Sequence, residues 1–413
     1  MSHAEAPRAE ARLTAPILGV LGALAILGPF GTDIFLPGLP AIASEFDAPA
    51  SAAQLSLSGF TIGMAAGQLI AGPLSDAVGR RRPLLVGSAT MALSSVAAAI
   101  APSLVLLIAA CLVTGLACAV GLVLSRAVVA DLTHGPAATR AYAILGGILS
   151  IGPVLGPIAG VGLIALGGWR ATFAGLALFA AVACAAVLLV VPETHAPERR
   201  LTGGLRAMSS VGAQAFRSRS FLGAALVTWL SFIAMFAYIA SSPFVMQTVL
   251  GFSPLGYAIA FGINGVALLA TSLLSGRLAT RVTERTQMTL GLGIQAAGAL
   301  AIVVAVAADA LTPWLLLPGM FLIAAPMGFI VGPAIAESIK DLRHAVGTAT
   351  AVLGSIQWLL AAGVAPLVSA AGEQAVWPLA AMTAAPIVLA LVALLATRAR
   401  ATTATTAIEG SPQ

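Results

Sequence analysis

Apolar stretches of about 20 residues, the length that carries a helix across hydrocarbon, recur from one end of the chain to the other between short polar connections. A hydropathy window predicts twelve spans, at 14–36, 53–73, 83–101, 104–127, 141–165, 170–191, 220–240, 255–275, 287–307, 313–335, 346–368 and 375–397. The one long polar interruption, 192–219, holds Arg199, Arg200, Arg206, Arg217 and Arg219 and separates six spans from six. The expected fold is an all-α polytopic membrane protein of twelve transmembrane helices in two six-helix bundles, 14–191 and 220–397. The linker 192–219 and the polar tails 1–13 and 398–413 complete it. No ten-residue alternating segments of a strand-built barrel appear in the sequence.

Composition agrees: 59% of the 413 residues are hydrophobic and 8% charged, with a mean hydropathy of +1.03. The net charge of +5 does not point to nucleic acid, because the basic residues follow the topology. With the N-terminus in the cytoplasm, one side gathers Arg8, Arg12, Arg80, Arg81, Arg82, Arg140 and the linker arginines. Arg277, Arg281, Arg285, Lys340, Arg343, Arg398 and Arg400 fall on that side too. The other side has Arg170 alone, beside Glu45, Asp47, Asp309 and Glu373, so both termini of this multi-pass cytoplasmic-membrane protein are expected inside. The first apolar run continues through Asp33 towards Pro40 and reads as a span, not a removed signal. Cys111, Cys118 and Cys184 sit in apolar runs, and His3, His134, His195 and His344 are scattered. Neither a metal site, a disulfide framework nor a bound cofactor is expected, and no phosphate-binding Gly-x-x-x-x-Gly-Lys-Ser/Thr loop would serve an ATP-driven pump. An enzyme is the rejected alternative.

The connection Gly72-Pro73-Leu74-Ser75-Asp76-Ala77-Val78-Gly79-Arg80-Arg81-Arg82 is the most hydrophilic turn between two spans. Gly72 and Gly79 permit close approach and unusual backbone angles, and Asp76 is expected to cap the start of the third span. Arg80 lies within reach of Asp76 and of Asp131 below the fourth span. The turn resembles the signature loop of the major facilitator superfamily. That resemblance implies a conformational latch, at Gly72, Asp76, Gly79, Arg80, Arg81 and Asp131, that holds the outward-open state. Gly276-Arg277-Leu278-Ala279-Thr280-Arg281-Val282 aligns on it without gaps, with Thr280 for Asp76 and Glu284 matching Arg80, and reads as a decayed copy. Duplicated halves enclosing a midplane site are the plan of this transporter class.

In the fifth span, Gly152, Pro153, Gly156, Pro157 and Gly160 remove backbone donors and flatten one helix face. The run resembles the motif of drug–proton antiporters. Asp33, in Thr32-Asp33-Ile34-Phe35-Leu36-Pro37-Gly38-Leu39-Pro40, is the one acid expected inside a span. Inserting it charged would cost at least ~2.5 kcal/mol, so it is expected to face a cavity and exchange a proton. The Asp33–Pro40 run, Gly67–Asp76, Ser125–Asp131, Gly168–Phe173, Pro192-Glu193-Thr194 and Ala345–Ala351 with Gln357 together resemble the bicyclomycin and chloramphenicol resistance subfamily, Bcr/CflA, over nearly the whole chain. One departure matters: where relatives carry a fourth-span arginine, this chain has Cys111, so Asp33 is expected to work with neutral partners. Arg126, about 22 Å further along by helical rise, is expected near Asp131 in a structural role.

Gln54, Trp229, Tyr238, Asn264 and Gln357 are candidates for the substrate cavity, each with helix packing as the alternative. Gln68 is assigned to packing. The expectation is a monomeric, cofactor-free transporter whose partners are the bilayer, protons and a small amphipathic drug of the chloramphenicol or bicyclomycin kind, exported by alternating access. An exporter of an endogenous metabolite, or a proton-coupled importer, remains the alternative on the same fold.

Overall fold

A computed structural model describes residues 13–196, 200, 215–338, 340, 346–372 and 374–409. Most of the expected linker, both tail ends and the orientation marks Arg343 and Glu373 lie outside the described residues, as does Ala345. The first bundle contains α1 (Ala15–Asp33), two short helices α2 (Leu39–Glu45) and α3 (Ala50–Ala53), α4 (Leu55–Val78), α5 (Arg81–Ala99), α6 (Leu104–Leu132) and α7 (Gly135–Val190). The second contains α8 (Arg219–Phe244), α9 (Pro254–Leu278), α10 (Glu284–Ala307), α11 (Pro313–Ala324), α12 (Gly328–Ser338), α13 (Val346–Val368) and α14 (Trp377–Glu409). Among the described residues, ten helical stretches are long and apolar enough to cross a membrane. One of them, α7, is two helices joined at Gly167 and Gly168, whose backbone is not helical. The helix α5, 19 residues with Arg81 and Arg82 in its first turn, is not among those ten; counted with them it makes the structure compatible with the twelve expected spans.

Small residues set the packing. Gly59, Gly63 and Gly67 recur every fourth position on α4 and bring it against the α6 backbone; a Cβ at Gly59 would lie 2.8 Å from the Ile108 carbonyl oxygen. Each bundle packs mainly on itself, and the two meet along α4 with α13 and along α7 with α9. The expected loop after the first span is instead ordered structure. Pro37 and Pro40 interrupt the helix, but Leu36, Leu39 and Ile42 are fully buried, so the segment folds back as a turn and α2. Ala325 to Met327 likewise breaks one span into α11 and α12, where the Thr271 hydroxyl of α9 donates to the Ala325 carbonyl over 2.5 Å.

Candidate transport site and its latch

Asp33 ends α1 and is 4% exposed. The motif glycines of α7 make that burial possible: Gly152, Gly156 and Gly160, one turn apart, face Pro29, Asp33 and Ile34 in register. A Cβ at Gly156 would sit 2.8 Å from the Asp33 Cβ. From the other bundle, α9 meets α7 at Val154, between Gly152 and Gly156, through its Gly262 and Gly265. Asn264 Nδ2 donates to the Tyr238 hydroxyl over 2.8 Å, Tyr238 stacks on Phe261, and the Tyr257 hydroxyl lies 3.3 Å from that of Ser242. The Asn264 Oδ1 is buried and has no hydrogen-bond partner among the described residues. No ion pair reaches Asp33 among the described residues, and Cys111 is buried in the first bundle. The acid is therefore buried against the glycine face of α7, the helix that also meets α9 of the other bundle.

The interface is sealed on one side and open on the other. On the face away from the Arg-rich turns, Gln54 Nε2 donates to the Ala240 carbonyl over 2.8 Å, the Ser58 hydroxyl to Ala362 over 2.7 Å, and Gln247 Nε2 to Pro37 over 3.2 Å. Towards the basic face, a cleft of about 510 Å³ separates the bundles, bordered by Pro29, Ser150 and Pro153 on one side and Ser272, Gln287 and Met327 on the other. It begins one helical turn from Asp33.

The five cavity candidates separate accordingly. Tyr238 and Asn264 join each other, tying α8 to α9. Gln54 belongs to the seal, and Trp229 Nε1 donates to Leu353, tying α8 to α13. Gln357 is half-buried on α13. Tyr257, which no sequence signal marked, is fully buried, its ring 5.8 Å from that of Phe261.

At the basic face, Gly79 ends α4 with a φ of +96°. The turn leaves Asp76 on the last turn of α4 rather than at the head of α5, which corrects its expected capping role. Arg80 instead gathers the acids: Nη1 donates to Asp76 and to Ser75, both over 2.5 Å, and Nε to Asp131 over 3.0 Å. Glu193 takes the cap, accepting from the backbone N–H of Arg80 over 2.7 Å and of Arg81 over 3.3 Å. Burial works against the Arg80 charge, yet Asp131 and Asp76 hold the guanidinium above its ordinary range. The side-chain contacts of Arg80 all lie within the first bundle, and Glu193 stands in the linker just after it. Arg126 forms no ion pair with Asp131 among the described residues, because Asp131 is taken by Arg80 and the Thr194 hydroxyl. Arg126 is exposed, and its carbonyl accepts from Tyr142 over 3.2 Å.

The matching turn of the second bundle corrects the expectation of decay. Glu284, in the position of Arg80, pairs with Lys340 beyond α12 over 3.4 Å, and Lys340 also pairs with Glu337. The tie is kept with its charges exchanged. Among the described residues, no cluster of three His, Cys, Asp or Glu side chains is arranged to hold a metal.

Residues 21–366 match the model of the Major Facilitator Superfamily. The chain is 33% identical to the uncharacterized MFS-type transporter YdgK of Bacillus subtilis (strain 168), over 88% of this chain and 90% of that one. It is 27% identical to a Haemophilus influenzae protein named bicyclomycin resistance protein homolog, over 90% and 94%. In fold it is similar to the xylose transporter XylE from E. coli in a partially occluded inward open conformation, with a TM-score of 0.72, 18% identity and coverage of 91% and 96%. Paired bundles, a cleft between them, a repeated basic-face turn and a match over most of the length converge: the chain belongs to the major facilitator superfamily of membrane transporters.

Proposed function

We propose that the protein exports small amphipathic drugs, of the bicyclomycin or chloramphenicol kind, across the cytoplasmic membrane in exchange for protons, with Asp33 as the coupling group. The observation that carries this reading is the burial of Asp33 against the glycine face of α7, the helix that meets α9, bearer of Asn264, across the bundle interface. An unpaired carboxylate is costly to bury, so its charge and its access to water are linked. A group of that kind couples proton uptake to the change of bundle arrangement.

The basic face is the cytoplasmic one by the positive-inside rule, so the cleft opens inward. Drug enters from the cytoplasm or inner leaflet while Asp33 is deprotonated, and the apolar walls with a few hydroxyl and amide groups suit it. Rocking of the bundles breaks the bonds of Gln54, Ser58 and Gln247 and opens the outer side. Protonation of Asp33 there favours release and return. A proton moving inward supplies ~2.3 kcal/mol per 100 mV, more than the ~1.4 kcal/mol of a tenfold drug gradient. The Arg80 cluster acts as the latch by keeping the basic ends of α4, α5 and α6 one rigid body. The relative named for bicyclomycin resistance supports the drug class. Everted membrane vesicles test the reading: drug should accumulate on energisation and leak out when a protonophore is added, and accumulation unaffected by the protonophore would contradict it.

A further inference from the structure

The second bundle has a cavity of about 940 Å³ that is separate from the cleft and from Asp33. It runs between α10 and α14 with Leu322 of α11 beside it, and all its lining residues belong to this bundle. Its ends differ in chemistry. Towards the basic face stand Arg285, Thr286 and Thr289, and deeper in the membrane the wall is Leu290, Ile294 and Leu391. Thr286, Leu290, Gly293 and Ala297 are exposed at spacings of three and four residues, so one face of α10 forms the floor. A Cβ on Gly293 would meet nothing within 4 Å, which marks the middle of the groove as open.

Helices α10 and α14 pack against their own bundle, so the groove is turned to the bilayer. There the space is filled by lipid chains rather than water. Arg285 is fixed at the mouth because its guanidinium donates to the Leu394 carbonyl and bridges the two helices. Glu284, next to Arg285 in sequence, is paired with Lys340. A cation and threonine hydroxyls at interface depth above an apolar trough match a phosphate above an acyl chain.

We propose that this groove binds one anionic glycerophospholipid, its phosphate at Arg285 and Thr286 and one acyl chain along the leucine wall over Gly293. Native mass spectrometry of the delipidated full-length protein, titrated with phosphatidylglycerol or phosphatidylcholine, tests this. Wild type should keep one phosphatidylglycerol about fivefold more tightly than phosphatidylcholine, the effect of one basic group near an anionic surface. Arg285→Gln should remove that preference, and Gly293→Phe, which fills the trough without touching Arg285, should lose both lipids while unfolding at the wild-type temperature in lipid-free detergent. Inorganic phosphate should not displace the lipid. Equal affinity for the two headgroups in wild type, retention of lipid by Gly293→Phe, or displacement by inorganic phosphate would each overturn the proposal.

Discussion

Both bundles tie a basic-face turn to the end of a helix two spans on, but they do it with opposite charges and to different depths. In the first, the cation Arg80 stands at the head of α5, where the positive end of the helix dipole repels it. It is tolerated there because Asp76, Asp131 and Glu193 surround the turn. In the second, the acid Glu284 opens α10, where the dipole favours it, and the exposed Lys340 suffices. Position in the repeat therefore preserves an ion pair rather than a residue type. The side that works against the dipole is the one built as a buried network, with Arg80 7% exposed.

The contrast can be broken by mutation, most strongly at its buried member. Arg80→Gln leaves Asp131 and Asp76 without their cation and should cost on the order of 3 kcal/mol, seen as a lower unfolding temperature in detergent and loss of most drug export. Gly79→Ala is next: the φ of +96° disfavours any side chain, and a Cβ would lie 2.8 Å from the Glu193 Cδ. About 2 kcal/mol is expected, whereas Gly276→Ala, whose Cβ meets nothing within 4 Å, should be close to neutral. Glu284→Gln should matter least, at most about 0.5 kcal/mol for an exposed pair and less still at high salt. A Glu284→Gln effect as large as that of Arg80→Gln would show that depth of burial does not separate the two turns.

Much of this was legible in the sequence because the bilayer leaves few options: apolar length, basic turns and one isolated acid state their own requirements. Asp33 and the glycines of α7 were marked separately, and the structure adds that they touch. What escaped needed three dimensions. Tyr238 and Asn264 lie on different helices, and nothing in their spacing pairs them. Tyr257, four residues into α9, reads as an interface aromatic until its burial is seen. Glu193 reads as a loop acid, although its two backbone bonds cap a helix more than a hundred residues earlier. Glu284 was taken as decay because a reversed charge is recognisable only beside Lys340.

Asp33→Asn in proteoliposomes tests proton exchange at this carboxyl directly. The variant should still exchange labelled for unlabelled drug, since the cleft and its alternation are intact, but should no longer build a drug gradient from an imposed pH difference. A gradient equal to that of wild type would contradict the assignment of coupling to this carboxyl.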